Sequence, residues 1–302
     1  MSTPITQAPN RRLWAAPSSA LIAAGVTVVL WASAFVGIRA VGADFSPGAL
    51  TLGRLTIGWL VLSGFVLVRG IVVPRGRELL FVGMYGLLWF AGYNVALNIA
   101  ETSLDAGTAA MLVQVAPVIV AILAGVFLKE GFPPRLLAGS AVALLGAVII
   151  AAGSGAERRI DLAGVLVCLL AGVLYAAGMV AQKPVLRTTP ALQATWLGCL
   201  VGMVACLPFT PTLWTEVGQA STGSVLGLIY LGVFPTAIAF TTWAYALSRT
   251  PAGQLGVTTY LVPVVAAGLS WILLDEVPPA VSFIGGALCL TGVALTRLRP
   301  RR

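Results

Sequence analysis

Two absences narrow what this protein can be: the chain contains no histidine, and only 9% of its 302 residues are charged. Without histidine there is no histidine-ligated metal site, no histidine-dependent catalytic triad and no imidazole proton relay. Soluble domains carry about 25% charged residues. A chain this poor in charge cannot cover a surface that faces water, so the sequence predicts a protein solvated mostly by lipid.

Acidic residues are scarce too, and all 10 lie in predicted loops or at the predicted ends of apolar segments. Intramembrane carboxylates are the usual proton or sodium relays of pumps. None is expected at the midplane, and the nearest acids are Asp44, Glu101 and Asp105. With neither histidine nor a deeply buried carboxylate, we expect no membrane-embedded enzyme, no metal site and no cofactor.

Long apolar runs fill the rest of the chain. Hydrophobic residues make up 59%, and the mean hydropathy is +0.98. One helix across the hydrocarbon core needs about 20 apolar residues, and a backbone in lipid must satisfy its own hydrogen bonds. The sequence therefore predicts an all-α integral membrane protein with ten transmembrane helices, at 20–41, 47–69, 78–100, 106–128, 134–153, 161–183, 190–210, 223–247, 251–274 and 278–297.

The basic residues predict the orientation of these helices. Of the 18 lysines and arginines, fourteen lie on the side that also holds both termini and three lie on the other side, with Arg54 inside helix two. Because basic residues gather in cytoplasmic loops, we expect both termini in the cytoplasm and a multi-pass protein in the inner cell membrane. The arginine-rich C-terminal tail is then a membrane anchor, and no nucleic-acid partner is expected.

An internal repeat divides the chain into two halves. When the sequence is shifted by 146 residues, glycine, proline and glutamate positions coincide without a gap. The pairs are Gly86/Gly232, Gly107/Gly253, Pro117/Pro263, Glu130/Glu276, Pro133/Pro279, Gly139/Gly285 and Gly146/Gly292. Each half holds five helices, an odd number, so the second half must enter the membrane from the opposite side, as in transporters with inverted repeats. The predicted segments are an N-terminal tail (1–19), a first repeat (20–153), a linker (154–160), a second repeat (161–297) and a basic tail (298–302).

Each half carries the same motif around its fourth helix. A Gly-rich helix with a central proline leads to a Glu–x–x–Pro turn, from Gly107 to Pro133 and from Gly253 to Pro279, and the first helix contains the stretch LWASAF at 30–35. In these features the chain resembles the EamA group of the drug/metabolite transporter superfamily. The resemblance implies that helices one, three, four, six, eight and nine surround a central cavity, with helices five and ten at the periphery. Within the group, the aromatic residues resemble those of the YddG-type exporters of aromatic amino acids.

Aromatic residues near helix centres are candidates for the wall of such a cavity. Trp and Tyr usually lie in belts at the membrane interface. That accounts for four tryptophans near predicted helix ends: Trp14, Trp214, Trp243 and Trp271. Deeper aromatic N–H and O–H groups need a partner, which a cavity, its substrate or a neighbouring helix can provide. The candidate substrate-binding residues are Trp31, Tyr85, Trp89, Tyr93, Gln114, Tyr175, Met179 and Tyr260, and the candidate helix kinks are Pro117, Pro235 and Pro263.

Helix three presents two polar or aromatic stripes, and the sequence leaves open which one faces the cavity. Tyr85, Trp89 and Tyr93 recur every four residues and form one stripe. Asn94 and Asn98 form a second stripe, nearly opposite. Both stripes cannot face the same cavity on a regular α-helix, and hydrogen bonds between helices explain the asparagines equally well.

Arg54 is the one charge inside a predicted helix. It can snorkel outward, pair with Asp44 or bind a substrate carboxylate, although the resemblance does not place helix two at the cavity. Small-residue faces on helices five and ten, at Gly139/Gly146 and Gly285/Gly292, indicate close packing within the chain or a dimer interface. The protein is accordingly expected to be a monomer or a homodimer.

Together these features predict a secondary transporter that exports hydrophobic or aromatic amino acids, or similar small amphipathic metabolites, by alternating access around a central cavity. Its partners are a small-molecule substrate and the lipid bilayer. The alternatives are an exporter of drugs or other metabolites with the same fold, a channel or scaffold, and a membrane-embedded enzyme. Without a titratable group at the midplane, we expect transport to be driven mainly by the substrate's own gradient.

Overall fold

Helices form the regular structure, as the long apolar runs predict. The computed structural model describes residues 17–104, 109, 112–153, 161–274 and 280–297, and every regular element in these ranges is helical. The helices are α1 (Ser18–Val41), α2 (Pro47–Arg69), α3 (Arg77–Ser103), α4 (Ala116–Phe127), α5 (Pro134–Gly153), α6 (Leu162–Val185), α7 (Ala191–Gln219), α8 (Thr222–Leu247), α9 (252–274) and α10 (Ala280–Arg297). The all-helical prediction is confirmed.

The helix bounds follow the apolar runs closely. Six helices, α1, α2, α3, α6, α7 and α8, are long and apolar enough to cross a membrane, and the other four contribute shorter apolar segments in the described ranges. Two helices differ from their predicted bounds: the described α4 begins at Ala116 and not near 106, and helix seven was predicted to end near residue 210. A 3-10 turn at Leu207–Phe209 carries the chain past Pro208 into a further helix, Thr210–Gln219.

Some predicted features lie outside the described residues. They are Asp105, Gly107, Asp275, Glu276, the linker 154–160, the C-terminal tail 298–302 and most of the N-terminal tail.

Two helices contain a π-helical segment at the same place in the repeat. The segment is Gly86–Tyr93 in α3 and Gly232–Ile238 in α8, and the shift of 146 residues superposes their starts. In α8, Pro235 lies inside the segment, where it has no N–H to donate. Polar side chains bond to carbonyls in these wide turns: Asn94 Nδ2 donates to the Trp89 carbonyl (3.1 Å), and Thr236 Oγ1 donates to the Leu231 carbonyl (2.8 Å). Such wide turns often mark functional sites.

Helices α4 and α9 are interrupted near their repeat-related prolines. In α4, a turn at Gln114 and Val115 precedes the helix that begins at Ala116, and Pro117 occupies its first turn, where a missing N–H costs nothing. In α9, the 3-10 segment Val257–Tyr260 separates two α-helical pieces just before Pro263. The interruptions place irregular backbone from both halves at matching positions.

Helices α5 and α10 pack against each other through their glycines. A Cβ atom on Gly139 would lie 2.6 Å from the Gly292 carbonyl oxygen, and one on Gly146 would lie 2.5 Å from the Gly285 carbonyl oxygen. Between these contacts, Cys289 Sγ donates to the Ala143 carbonyl (3.4 Å). The numbering rises along one helix as it falls along the other, so the pair is antiparallel. Of the two interpretations of these glycine faces, close packing within the chain is therefore the one observed.

Candidate functional site

A cavity lies between helices of both halves. Its lining residues come from α1, α2, α3, α6, α8 and α9 and from the segment just before α4. They are Trp31, Ala34, Phe35, Ile38, Arg54, Trp89, Tyr93, Asn94, Leu97, Val113, Gln114, Tyr175, Phe240, Thr259 and Val262.

Aromatic rings close the cavity at the centre of the molecule. Trp31 is the hub, with ring centroids at 6.1 Å from Trp89, 6.4 Å from Tyr175, 5.5 Å from Phe240 and 4.9 Å from Trp243. We call these five residues the aromatic cluster. Because its members come from α1, α3, α6 and α8, the cluster joins the two halves at their interface.

A glycine allows one of these helices to approach closely. Gly178 of α6 faces the π-helical segment of α3, and a Cβ atom added to it would lie 2.6 Å from the Trp89 Cβ atom. Trp89 is 1% exposed as a result. Close approach of α6 therefore fixes the indole that borders the cavity.

Polar side chains line the cavity beside this apolar wall. Gln114 Nε2 donates to the Thr259 carbonyl (3.3 Å), which connects the interrupted regions of α4 and α9. Asn94 and Arg54 enter from α3 and α2, and both are 5% exposed. The cavity thus combines a large aromatic surface with a few converging polar groups, the usual composition of a site for a small amphipathic molecule.

The structure brings five of the eight candidate residues to the cavity: Trp31, Trp89, Tyr93, Gln114 and Tyr175. The other three lie elsewhere. The Tyr85 hydroxyl donates to the Ala194 carbonyl of α7 (2.7 Å), Met179 is fully buried in the main hydrophobic core, and Tyr260 packs with α5 and α10. Each of these three side chains contributes to contacts between helices. Pro117, Pro235 and Pro263, the candidate kinks, are all buried.

The expectation that the two stripes of helix three cannot share a cavity is wrong. Trp89, Tyr93 and Asn94 all line it. A π-helix closes its hydrogen bonds from residue i to i+5, so Trp89 and Asn94 lie one turn apart on similar faces. Asn98 follows the interhelical alternative, because its Nδ2 donates to Thr51 Oγ1 of α2 (3.0 Å) and to the Pro47 carbonyl (3.2 Å).

Several residues of the aromatic cluster and of the cavity wall were not among the candidates. Trp243, assigned to the interfacial belt, is fully buried against Trp31, whereas Trp214 is 84% exposed as a belt residue would be. Phe35 and Phe240 also line the cavity, and Phe35 ends the LWASAF stretch that indicated the family. Distance from a helix end says how deep a residue lies but not which way it faces, which is why Trp243 was misplaced.

The position of Arg54 differs from the expectation that helix two lies away from the cavity. Arg54 neither snorkels outward nor pairs with Asp44, and it lines the cavity. Asp44 lies outside the helices, where hydrogen bonds with Ser224 and then Ser221 hold the pKa of its carboxyl below the usual value. The acid whose charge acts on Arg54 is Glu101, near the end of α3. Glu101 lies at a helix end as predicted, but its Oε1 atom is buried.

The two ends of the molecule differ. We name them by the loops they contain, the Asp44 end and the Glu130 end. The lining residues of α1 run from Trp31 at mid-helix to Ile38 near the Asp44 end, and Arg54 and Leu97 lie toward that same end. The cavity therefore extends from the aromatic cluster toward the Asp44 end.

The Glu130 end is closed by contacts to the start of α9. The Glu130 carboxylate accepts hydrogen bonds from the N–H groups of Ala252 (2.8 Å) and Gly253 (3.1 Å). The Lys183 ammonium donates to the carbonyls of Leu247 and Thr250. An anion at a helix N-terminus is favourable because the first N–H groups lack helical partners. The glutamate of the Glu–x–x–Pro motif therefore fastens the first half to the second.

Both halves match one protein-family model, described as the EamA-like transporter family, over residues 18–152 and 162–298. The chain is 37% identical over 283 residues to a protein of Streptantibioticus cattleyicolor named as a probable terminal-alkyne amino-acid exporter, covering 93% of this chain and 94% of that protein. It is 33% identical to the uncharacterized transporter YdfC of Bacillus subtilis, with 92% and 91% covered.

Two more distant proteins cover nearly the whole chain. The aromatic amino acid exporter YddG of Ancylobacter novellus is 25% identical, with 94% of this chain and 99% of that protein covered. A crystal structure at 23% identity superposes with a TM-score of 0.78 over 94% of this chain and 99% of that chain, which shows the same fold.

Proposed function

Since the chain belongs to the EamA-like transporter family, we propose that it is a secondary transporter that exports amino acids with aromatic or other apolar side chains. The observation that carries this proposal is the composition of the cavity. Rings of the aromatic cluster offer a surface for an apolar side chain, and Arg54, Asn94 and Gln114 offer polar partners for the charged head of an amino acid. The site residues are Trp31, Trp89, Tyr93, Gln114 and Tyr175.

The named relatives favour two kinds of cargo. One is named an exporter of aromatic amino acids and the other a probable exporter of terminal-alkyne amino acids. Both classes combine an amino-acid head with an unsaturated, apolar side chain, and aromatic faces pack well against either. We propose aromatic amino acids as the principal substrates and alkynyl amino acids as the second candidate class.

We further propose ten membrane crossings in two inverted repeats, 20–153 and 161–297, with both termini in the cytoplasm of the inner membrane. The reciprocal glycine contacts between α5 and α10 support the inversion, because Gly139 meets Gly292 while their repeat partners, Gly285 and Gly146, meet each other. The two family-model matches support the repeat bounds.

Alternating access is the proposed mechanism. With the Glu130 end in the cytoplasm, the described conformation is the one open to the outside, since the cavity extends toward the Asp44 end. The opposite state would require release of the start of α9 from Glu130 and of the connection between α8 and α9 from Lys183. Helix pairs with matching sequences on the two sides of the membrane make two such states available to one chain.

Flux through proteoliposomes tests the proposed function. The purified protein is reconstituted and supplied with labelled phenylalanine, tryptophan, leucine, propargylglycine or a sugar phosphate. We expect saturable flux of phenylalanine that the other amino acids inhibit, and no flux of the sugar phosphate. Flux that does not saturate would identify a channel, and flux of the anionic sugar phosphate alone would exclude the proposed substrates.

A pair of tryptophan variants locates the site in the same assay. Trp31→Ala removes the hub of the aromatic cluster and should raise the KM for phenylalanine by about 10–100-fold, because aromatic anchors typically contribute about 2 kcal/mol or more. Trp214→Ala removes an exposed tryptophan and should leave KM unchanged.

The driving force is tested with the membrane potential clamped and a gradient of two pH units. Two units correspond to about 2.7 kcal/mol for each coupled proton, enough to concentrate a zwitterion about a hundredfold. We propose transport down the substrate gradient, so concentrations should equalise without accumulation. Accumulation approaching a hundredfold would show proton coupling, with Glu101 as the first residue to substitute.

A further inference from the structure

Arg54 is an unusual residue for its position. It lies in the first half of α2, it is 5% exposed, and it borders the cavity together with Tyr93 and Asn94. An ionised side chain inside a membrane protein is costly and is retained mainly where it pairs with another charge or serves a substrate path. The group that pairs with this arginine therefore has to be identified.

The described residues leave part of the guanidinium without a hydrogen bond. The buried Nε atom has no partner among them. The charge of Glu101 acts on Arg54, but the Glu101 Oε1 atom is itself buried and without a hydrogen-bond partner in the described part of the chain. The two side chains compensate each other electrostatically without satisfying each other's hydrogen bonds.

We propose that Arg54 binds the α-carboxylate of the transported amino acid, while the aromatic cluster holds its side chain. The inference rests on the proposed function in that it assumes amino-acid substrates. A guanidinium presents a planar fork that matches a carboxylate in bidentate geometry. Asn94 also lines the cavity; its Nδ2 donates to the carbonyls of Trp89 and Phe90, and its Oδ1 can accept a hydrogen bond from the α-ammonium of the same head group.

This assignment makes the carboxylate the group that distinguishes substrates from similar amines. A ligand without it would enter the cavity and leave the arginine unpaired in a site with little water. Sites built to bond a polar group reject analogues that lack that group much more strongly than they reject a change in apolar volume. Aromatic amines should therefore bind poorly although their rings fit the aromatic cluster.

Glu101 affects substrate binding through its charge. Its carboxylate acts on Arg54 in the empty cavity, and an incoming carboxylate competes with it for the guanidinium. Replacing Glu101 by glutamine removes the competing charge with little change in shape. The amino acid should then bind more tightly, whereas the matching amine should not.

Isothermal titration calorimetry on the purified protein in lipid nanodiscs tests the assignment with two ligand pairs. The pairs are phenylalanine with phenethylamine, and leucine with 3-methylbutylamine. In the unsubstituted protein we expect each amino acid to bind at least about 30-fold more tightly than its amine, the usual minimum when one partner of a buried charge pair is missing. Arg54→Gln should reduce that preference below about threefold by weakening the amino acids.

Two further variants control the experiment. Arg69→Gln removes an exposed arginine at the far end of the same helix and should leave the preference unchanged. Glu101→Gln should tighten phenylalanine about 3–10-fold and leave phenethylamine unchanged, and it supplies the answer if Arg54→Gln does not fold.

Three results overturn the assignment: equal affinity for amino acid and amine in the unsubstituted protein, an undiminished preference in Arg54→Gln, or equal changes for both ligands in Glu101→Gln. Failure of the proposed function has a different signature. A protein that prefers the carboxylate ligands through Arg54 but moves none of them in proteoliposomes keeps the binding site and loses the role in export.

Discussion

A shift of 144 residues, two fewer than for the later helices, superposes the bounds of α1 and α6 and makes Arg39 and Lys183 corresponding residues near the ends of these two helices. Lys183 donates to two carbonyls of the second half, Leu247 and Thr250, and helps to close the Glu130 end. Arg39 is exposed at the Asp44 end. The carbonyls that correspond to those of Leu247 and Thr250 belong to Glu101 and Leu104, which lie at the same Asp44 end as Arg39.

The two halves agree in residue type at this position but differ in the contact that the residue makes. Both halves carry a basic residue at this position and a helix end that can accept its hydrogen bonds, but only one of the two contacts is made. Equivalent elements of one chain thus stand in two different states at the two ends. If Arg39 takes the place of Lys183 in the opposite conformation, the same contact alternates between the ends during transport.

Cross-linking across each end gives the largest expected effect. Cysteines replace Lys183 and Thr250 in one variant, and Arg39 and Leu104 in another, and a short hydrophilic bifunctional reagent is added. We expect both pairs to react in transporting protein and flux to fall to background in each case, because each link traps one state. If only the first pair reacts, the protein stays in one conformation and the contact does not alternate between the ends. The four native cysteines are buried and free, so they serve as unreactive background.

The α5–α10 contact is the region where the halves do match, and it provides the second test. Gly292→Ala places a Cβ atom 2.5 Å from the Ala143 nitrogen, and such overpacking costs about 1–3 kcal/mol. We expect a clear fall in the thermal midpoint. Gly64→Ala on α2 is the matched control, because a Cβ atom there meets nothing within 4 Å and alanine favours the helix. Equal midpoints for the two variants would contradict the packing described.

Glu130→Gln weakens the closed end by a smaller amount. The carboxylate bonds to the N–H groups of Ala252 and Gly253, and losing the charge at a helix N-terminus costs about 1 kcal/mol. The ratio of the closed to the open Glu130 end should then fall about fivefold. The measurement is the rate at which an impermeant reagent labels a single cysteine placed at Phe35 in the cavity. We expect this rate to drop.

Glu78→Gln is the control for that comparison. Glu78 accepts a hydrogen bond from Thr188 at the same end but lies outside the contact with α9. The labelling rate at position 35 should stay the same in this variant. An equal drop in both variants would mean that any acid at this end affects access, and the specific contact of Glu130 would lose its role.

Asp44→Asn at the other end should have the smallest effect. Hydrogen bonds with Ser224 and Ser221 lower the pKa of Asp44 in the folded protein. A lowered folded pKa means that the carboxylate adds stability above the unfolded pKa of about 4 and that this contribution is lost as the pH falls below it. We expect a midpoint difference of at most a few degrees at pH 7 that shrinks as the pH falls toward 3. A difference that grows on acidification would reverse the assigned direction.

Much of the fold could be predicted from the sequence because membrane helices are governed by length and apolarity. The bounds of α2 and α5 coincide with their apolar runs, and the glycine pairs of α5 and α10 signalled the close contact. Long apolar segments leave the backbone no alternative to helix in lipid. Depth along a helix was therefore predictable as well.

The direction in which side chains point was less predictable, so the predicted set of cavity residues contained errors. Asn94 faces the cavity because the π-helical segment rotates it relative to an α-helical pattern, and no residue before it announces that turn. Arg54 was left aside because its helix was expected to lie away from the cavity. Both errors arise from assuming regular helices and a family arrangement, whereas rotation about the helix axis depends on contacts between distant parts of the chain.

The positions of the two π-helical segments also bear on the origin of the repeat. A wide turn of this kind arises when one residue is inserted into an α-helix, and both halves bear it at the same place in an ungapped alignment. The shared position indicates that the wide turn belongs to the repeating unit and not to one half alone. Deleting one residue between Trp89 and Tyr93 would undo that event in one copy and place Trp89 and Asn94 four residues apart, on one face of a regular α-helix.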